Sequence, residues 1–192
     1  MNLAEIAGII AGGLALIDFV LYDISIIRGK TRPNRATWFI LSIVGIIIFS
    51  SYYSLGARDT LWMPLAYTIG PVVAFILSIK MGEGGWTTFD KVCLLGAGVS
   101  IILWWQTGSA LVALLTNIVI DMFGLLPTVK KSYLNPASEE FFPWFVTVIA
   151  CIFNIFAIQA WEFNVWVYPI YMLLINGVIA WLLYYPRFRR VS

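Results

Sequence analysis

A chain of 192 residues that is 61% hydrophobic and 11% charged is not an ordinary water-soluble domain, in which about a quarter of the residues carry charge. Its net charge is only +2 and its mean hydropathy +0.89, and with no folded polar domain to present cations, nucleic-acid binding is a poor alternative. Histidine is absent, which excludes histidine metal sites, Ser-His catalysis and a histidine proton relay.

A membrane-spanning helix needs about 20 apolar residues, and seven segments fit. Segment one, Ile6–Ile27, carries Asp18 in its middle and is followed by Arg28, Lys30, Arg32 and Arg35. Its acidic Glu5 and long apolar run argue against a cleavable signal peptide. Segment two, Thr37–Leu55, starts beside Trp38, and only Arg58 separates it from segment three, Leu61–Ile79, with Pro64 and Pro71. Lys80 and Lys91 flank the passage to the short segment four, Thr88–Trp105, which ends at Gln106-Thr107-Gly108. Segment five, Ser109–Val129, carries Asn117, Asp121 and Pro127 and runs into Lys130 and Lys131. Segment six, Phe142–Ala160, opens on Pro143 and Trp144 and contains Asn154. Segment seven, Val165–Tyr185, contains Pro169 and Asn176 and precedes Arg187, Arg189 and Arg190; it has no lysine, which excludes a retinal Schiff base there. The runs are too long and too uniformly apolar for barrel strands. Cys93 and Cys151 both fall inside apolar segments and read as packing residues.

Eleven of the twelve cations lie in alternate loops, the exception being Arg58. Cytoplasmic loops retain Lys and Arg, so the chain should begin outside and end in the cytoplasm.

The segments also repeat. Ile17-Asp18-Phe19 matches Ile120-Asp121-Met122 at an offset of 103, and Arg28 with Lys131 and Pro33 with Pro136 keep that offset. After a small loop insertion Thr37-Trp38-Phe39 matches Pro143-Trp144-Phe145, and Trp62-Met63-Pro64 resembles Val167-Tyr168-Pro169. Both copies have basic first loops, so they run parallel, which two three-helix units manage only if an extra helix returns the chain. The expected fold is an all-α membrane protein of seven transmembrane helices. Residues 1–82 and 108–192 form two parallel three-helix bundles, and residues 83–107 an inverting linker helix, a 3+1+3 plan.

Leu125-Leu126-Pro127-Thr128, then Lys130-Lys131-Ser132-Tyr133, Ser138-Glu139-Glu140 and Phe142-Pro143-Trp144 resemble the PQ-loop pattern. Ile152-Phe153-Asn154 is similar to a stretch of helix six in the SWEET transporters, and Ile175-Asn176-Gly177 with Trp181 and Tyr184-Tyr185 to their helix seven. The stretch from Arg28 to Trp38 resembles uncharacterised prokaryotic PQ-loop-like membrane proteins. Together these liken the chain to the SWEET/PQ-loop (MtN3-like) superfamily. Pro127 and Pro143 match two of the four hinge prolines of SWEETs, whereas Asp23-Ile24 and Thr37 stand at the other two. Thr128 replaces the Gln of the PQ pair, and Gly70-Pro71 the helix-three asparagine.

The resemblance implies a transporter of a sugar or other small metabolite, working by alternating access around a midplane site in the cell membrane. SWEET-like proteins can trimerise, which makes a homo-oligomer compatible with it. Asp18 and Asp121 would bind or couple at the midplane, because a carboxylate there costs at least about 2.5 kcal/mol to insert and must face the bundle interior; proton linkage is one variant. Asn117 and Tyr22, one turn from each, are local partners for them. Asn176 and Asn154 would contact solute or hold helices together, Asp23 would pair with Arg28, Pro127 and Pro143 would be hinges, and Trp38 and Trp144 would line an inner gate or anchor the chain. The alternative is a ligand-binding receptor or trafficking factor on the same fold. No enzyme is expected, since no nucleophile–base set is evident, and the Tyr-Asp and Gly-x-Gly-Asp signatures of aspartyl intramembrane proteases are missing at the two midplane aspartates: Ile17 precedes Asp18, and Ile120 precedes Asp121. Neither cofactor nor metal is implied; the expected partners are a small-molecule substrate and membrane lipid.

Overall fold

The computed structural model describes residues 2–33, 35–82, 87–134, 136 and 140–189, with the side chains of all but 89, 90, 93, 126–128, 130, 131 and 186–189. Those residues are all-helical, without strands: α1 (Leu3–Ile27), α2 (Arg35–Ser54), a short 3-10 turn at Asp59–Leu61, α3 (Trp62–Met81), α4 (Thr88–Thr107), α5 (Ala110–Leu134), α6 (Phe141–Phe156) and α7 (Phe163–Arg189). Leu3–Ile27, Arg35–Ser54, Asp59–Met81 and Phe163–Tyr185 are long and apolar enough to cross a membrane, and Leu94–Thr107, Ala110–Leu125 and Phe141–Phe156 are shorter apolar helices. The outer faces are apolar too: Ile17, Val20, Ile76, Leu174 and Trp181 are all exposed. Water would not tolerate so continuous an apolar surface, whereas lipid favours it. The chain is built as an α-helical membrane protein.

Several helix ends differ from the expected segments. α1 starts at Leu3, because Asn2 and Glu5 close a reciprocal capping box. α5 runs on to Leu134 and α7 to Arg189, since lysines and arginines continue a helix as readily as they end an apolar run. α6 stops at Phe156 instead of Ala160. Beyond that stop the chain turns, and the Gln159 amide donates to the Asp59 carboxylate.

Helix order in space differs from order in sequence. α3 packs against both α1 and α2, and α7 packs against both α5 and α6. Between these two sets, α1 packs on α6 and α2 on α5, while α4 lies against α5 and α2. Exchanging α1 with α5, α2 with α6 and α3 with α7 turns each of the six pairings that do not involve α4 into another of the six. In the first set the backbones approach closely. A Cβ on Gly45 would meet the Tyr67 carbonyl of α3, and Thr68 donates to the Gly45 and Pro64 carbonyls at 3.0 Å each.

The two ends of the molecule are chemically distinct. At one end Lys30 pairs with Glu140 at 3.9 Å. Arg35 caps the end of α3 there, its Nε donating to the Ser78 carbonyl at 3.0 Å and its Nη2 to the Gly82 carbonyl at 2.6 Å. At the other end the helix turn at Asp59 meets Gly8 of α1 and Gln159 after α6.

Candidate functional site

A cavity of about 560 Å³ lies among α1, α2, α3, α5, α6 and α7, within the range of about 300–1,000 Å³ usual for small-molecule sites. Helical spacing explains which side chains reach it. Thr37, Trp38, Leu41, Val44, Gly45 and Ile48 make one stripe along α2, and Tyr168, Met172 and Asn176 another along α7. α1 supplies Asp18, Phe19 and Tyr22, and α5 supplies Asp121, Gly124 and Leu125.

The lining follows the sequence repeat. At the offset of 103, Asp18 pairs with Asp121 and Tyr22 with Leu125. Between α2 and α6 the offset is 106, pairing Thr37 with Pro143, Trp38 with Trp144 and Leu41 with Thr147. Between α3 and α7 it is 105, pairing Tyr67 with Met172 and Pro71 with Asn176. All fourteen of these residues line the cavity. The same spot is thus built twice, with the carboxylates and tryptophans kept and their neighbours changed.

Each aspartate is held by one hydroxyl. Thr147 of α6 donates to Asp18 Oδ2 at 2.7 Å, and Tyr171 of α7 donates to Asp121 Oδ2 at 2.6 Å. These partners replace the expected local ones. The Tyr22 ring packs at a tilt of 42° against Trp38, ring centroids 4.9 Å apart. Asn117 turns away from Asp121 and ties α5 to α4, donating to Ser100 Oγ at 2.5 Å and to the Ala113 carbonyl at 2.8 Å. Among the described residues, neither aspartate forms an ion pair, Asp23 forms none with Arg28, and no three potential metal ligands come together.

Asn176 lines the cavity, only 2% exposed, with Nδ2 donating to the Met172 carbonyl at 2.8 Å. Asn154 is fully buried but is not a lining residue, and its side-chain atoms have no hydrogen-bond partner among the described residues. Pro143 lines the cavity as the third residue of α6, where a missing N–H breaks no helical bond. The ring of Pro127 lies outside the described side chains, while α5 passes through its position. Trp38 and Trp144 both face the cavity. Cys151 is a buried free thiol of the core, whereas the Cys93 side chain lies outside the described set, as do Lys130, Lys131, Ser138 and Glu139.

One end of the cavity reaches the basic loop at Gly29, Lys30, Thr31 and Arg32. At the other, Tyr52 continues the α2 stripe one turn past Ile48, fully buried. Its hydroxyl donates to the Val165 carbonyl at 2.7 Å, and its ring packs edge-on against Tyr168 at 5.4 Å. This contact joins α2 of the first set to α7 of the second and closes that end. Thr147, Tyr171, Tyr67 and Tyr52 escaped the sequence reading, because single hydroxyls in apolar helices carry no motif; the repeat offset, extended to every position, marks two of them.

No family model, curated protein or solved structure matches the chain.

Proposed function

We propose that this protein is a SWEET-like transporter in the cell membrane that moves a small polar solute by alternating access. Seven helices cross the bilayer as two parallel three-helix bundles, residues 1–82 and 108–192, with 83–107 as the inverting linker. The N-terminus faces outward, and the basic end and the C-terminus face the cytoplasm. The observation that carries the reading is the pairing of repeat-equivalent residues around one cavity between the two helix sets. A site on the axis of two similar bundles is the arrangement that rocking of one against the other can expose to either side. The closed Tyr52–Tyr168 end and the lining that reaches Lys30 and Arg32 fit an inward-facing state. Asp18, Asp121 and Asn176 contact the solute, and Pro127 and Pro143 serve as hinges.

Uptake into proteoliposomes, with sugars, nucleosides, amino acids and amines in the panel, tests the activity. Concentrative or equilibrative uptake abolished in Asp121→Asn is the expected result. Binding without uptake of any solute overturns transport in favour of a receptor on this fold. A C-terminal fluorescent or phosphatase fusion tests orientation, and phosphatase activity there would overturn it.

A further inference from the structure

We propose, resting on the reading of this cavity as a transport site, that its solute is a small primary ammonium ion with an apolar or aromatic body. Three hydrogen-bond acceptors stand open among the groups that line the cavity. Thr147 and Tyr171 already donate to Oδ2 of Asp18 and of Asp121, and Oδ1 of each accepts nothing among the described residues. Asn176 uses Nδ2 on its own helix, so its Oδ1 is likewise open, on a residue 98% buried. Three acceptors on three helices, two of them carboxylates, match the three N–H donors of an ammonium group.

Charge points the same way. Two carboxylates share the cavity, and among the described residues no cation pairs with either. The lining cations, Lys30 and Arg32, belong to the loop at the mouth, where Lys30 is already paired with Glu140. A carboxylate that stays ionised away from water calls for a counter-charge, and a cationic solute supplies it.

The walls exclude a bare metal ion and favour an organic one. Two aspartates and one amide are too few ligands for a dehydrated ion, and the volume of about 560 Å³ far exceeds what one ion fills. The remaining wall is aromatic. Phe19 packs edge-on against Tyr67 at 5.1 Å and against Trp38 at 6.3 Å, with Trp144 and Tyr168 also lining the space. Such rings attract cations through their faces and bury an apolar body as well.

The test uses the full chain, purified in detergent and in proteoliposomes, with three matched pairs: butylamine and butanol, 2-phenylethylamine and 2-phenylethanol, tryptamine and tryptophol. Titration calorimetry on the wild type should find at least one amine that binds tenfold or more tightly than its alcohol. Tetramethylammonium, charged but without N–H donors, should bind less well than that amine. Asp121→Asn and Asp18→Asn should each weaken the amine tenfold or more and leave the alcohol unchanged. Equal binding of amine and alcohol, or no amine binding to the wild type, overturns the proposal, and neither outcome depends on a variant that folds. Glucose uptake without amine binding overturns the ammonium assignment and leaves transport standing. Amine binding without amine uptake keeps the site and overturns transport.

Discussion

The two aspartates occupy equivalent places in the repeat and are held in opposite ways. Asp18 of the first set takes its hydroxyl from Thr147 of the second, so that bond bridges the two sets. Asp121 takes its hydroxyl from Tyr171 on α7, inside its own set. The sequence explains the difference. The residue equivalent to Thr147 is Leu41, which lines the cavity with no hydroxyl, and the equivalent of Tyr171 is Ala66. Each carboxylate is therefore kept while its donor is supplied from wherever one exists. The lesson is that the duplicated carboxylate is the fixed feature and the hydrogen bond around it is local adaptation. A second contrast lies in packing: Gly45 lets α2 sit against the α3 backbone, whereas its equivalent in α6 is Cys151.

Exchanging residues between the halves breaks or sharpens this comparison. The largest effect should come from Gly45→Cys, which places a side chain against the Tyr67 carbonyl. It should cost about 1–3 kcal/mol or more, read as a fall of several degrees in the melting temperature of the purified protein. An unchanged melting temperature would mean that the α2–α3 approach is looser than described.

Next come the two donors. Thr147→Val and Tyr171→Phe each strip a buried carboxylate of its donor and should each cost about 1–3 kcal/mol. Only Thr147→Val loosens one set from the other. It should speed maleimide labelling of Leu41→Cys from the side opposite the basic loops, in a background lacking Cys93 and Cys151, and Tyr171→Phe should not. Equal labelling in both would remove the distinction between bridging and internal bonds.

Tyr52→Phe removes one neutral hydrogen bond, to the Val165 carbonyl. The expected loss is about 0.5–1.5 kcal/mol, with faster labelling of the same cysteine from that side. The smallest effect belongs to Leu41→Thr, which offers Asp121 the donor that Thr147 gives Asp18. A gain below about 1 kcal/mol is expected, recovering part of the loss in Tyr171→Phe; no recovery in the double variant would mean the two positions are not structurally equivalent.

Much of this architecture is legible in the chain itself. Seven apolar runs correspond to seven helices among the described residues, and the match of Ile17-Asp18-Phe19 to Ile120-Asp121-Met122 anticipates the shared cavity. Helix ends were harder to read. Hydropathy changes where charges begin, but helical hydrogen bonding ignores that boundary, as α5 and α7 demonstrate, and the Asn2–Glu5 box at α1 is a capping signal, not an apolar one. Asn117 and Asn154 look like cavity residues because they are polar in apolar helices. Asn117 points instead at Ser100 of α4, and no periodicity within α5 alone reveals which neighbour a side chain will face. Thr147 is invisible for the same reason, since its partner lies 129 residues away.

That separation has a consequence for how the protein is made. α3 lies between α1 and α2, so neither of the first two helices has its full packing surface when it leaves the ribosome. Asp18 waits longer still, because its donor belongs to the sixth helix to be synthesised. For most of translation α1 holds a polar group without its final partner in an apolar setting, a cost that rearrangement of neighbouring helices must meet. Assembly is therefore completed late and from distant contacts, since the contacts between the two sets wait for α5 and α6. A chain interrupted before α6 would carry every residue of the first set and still leave its central carboxylate unclaimed.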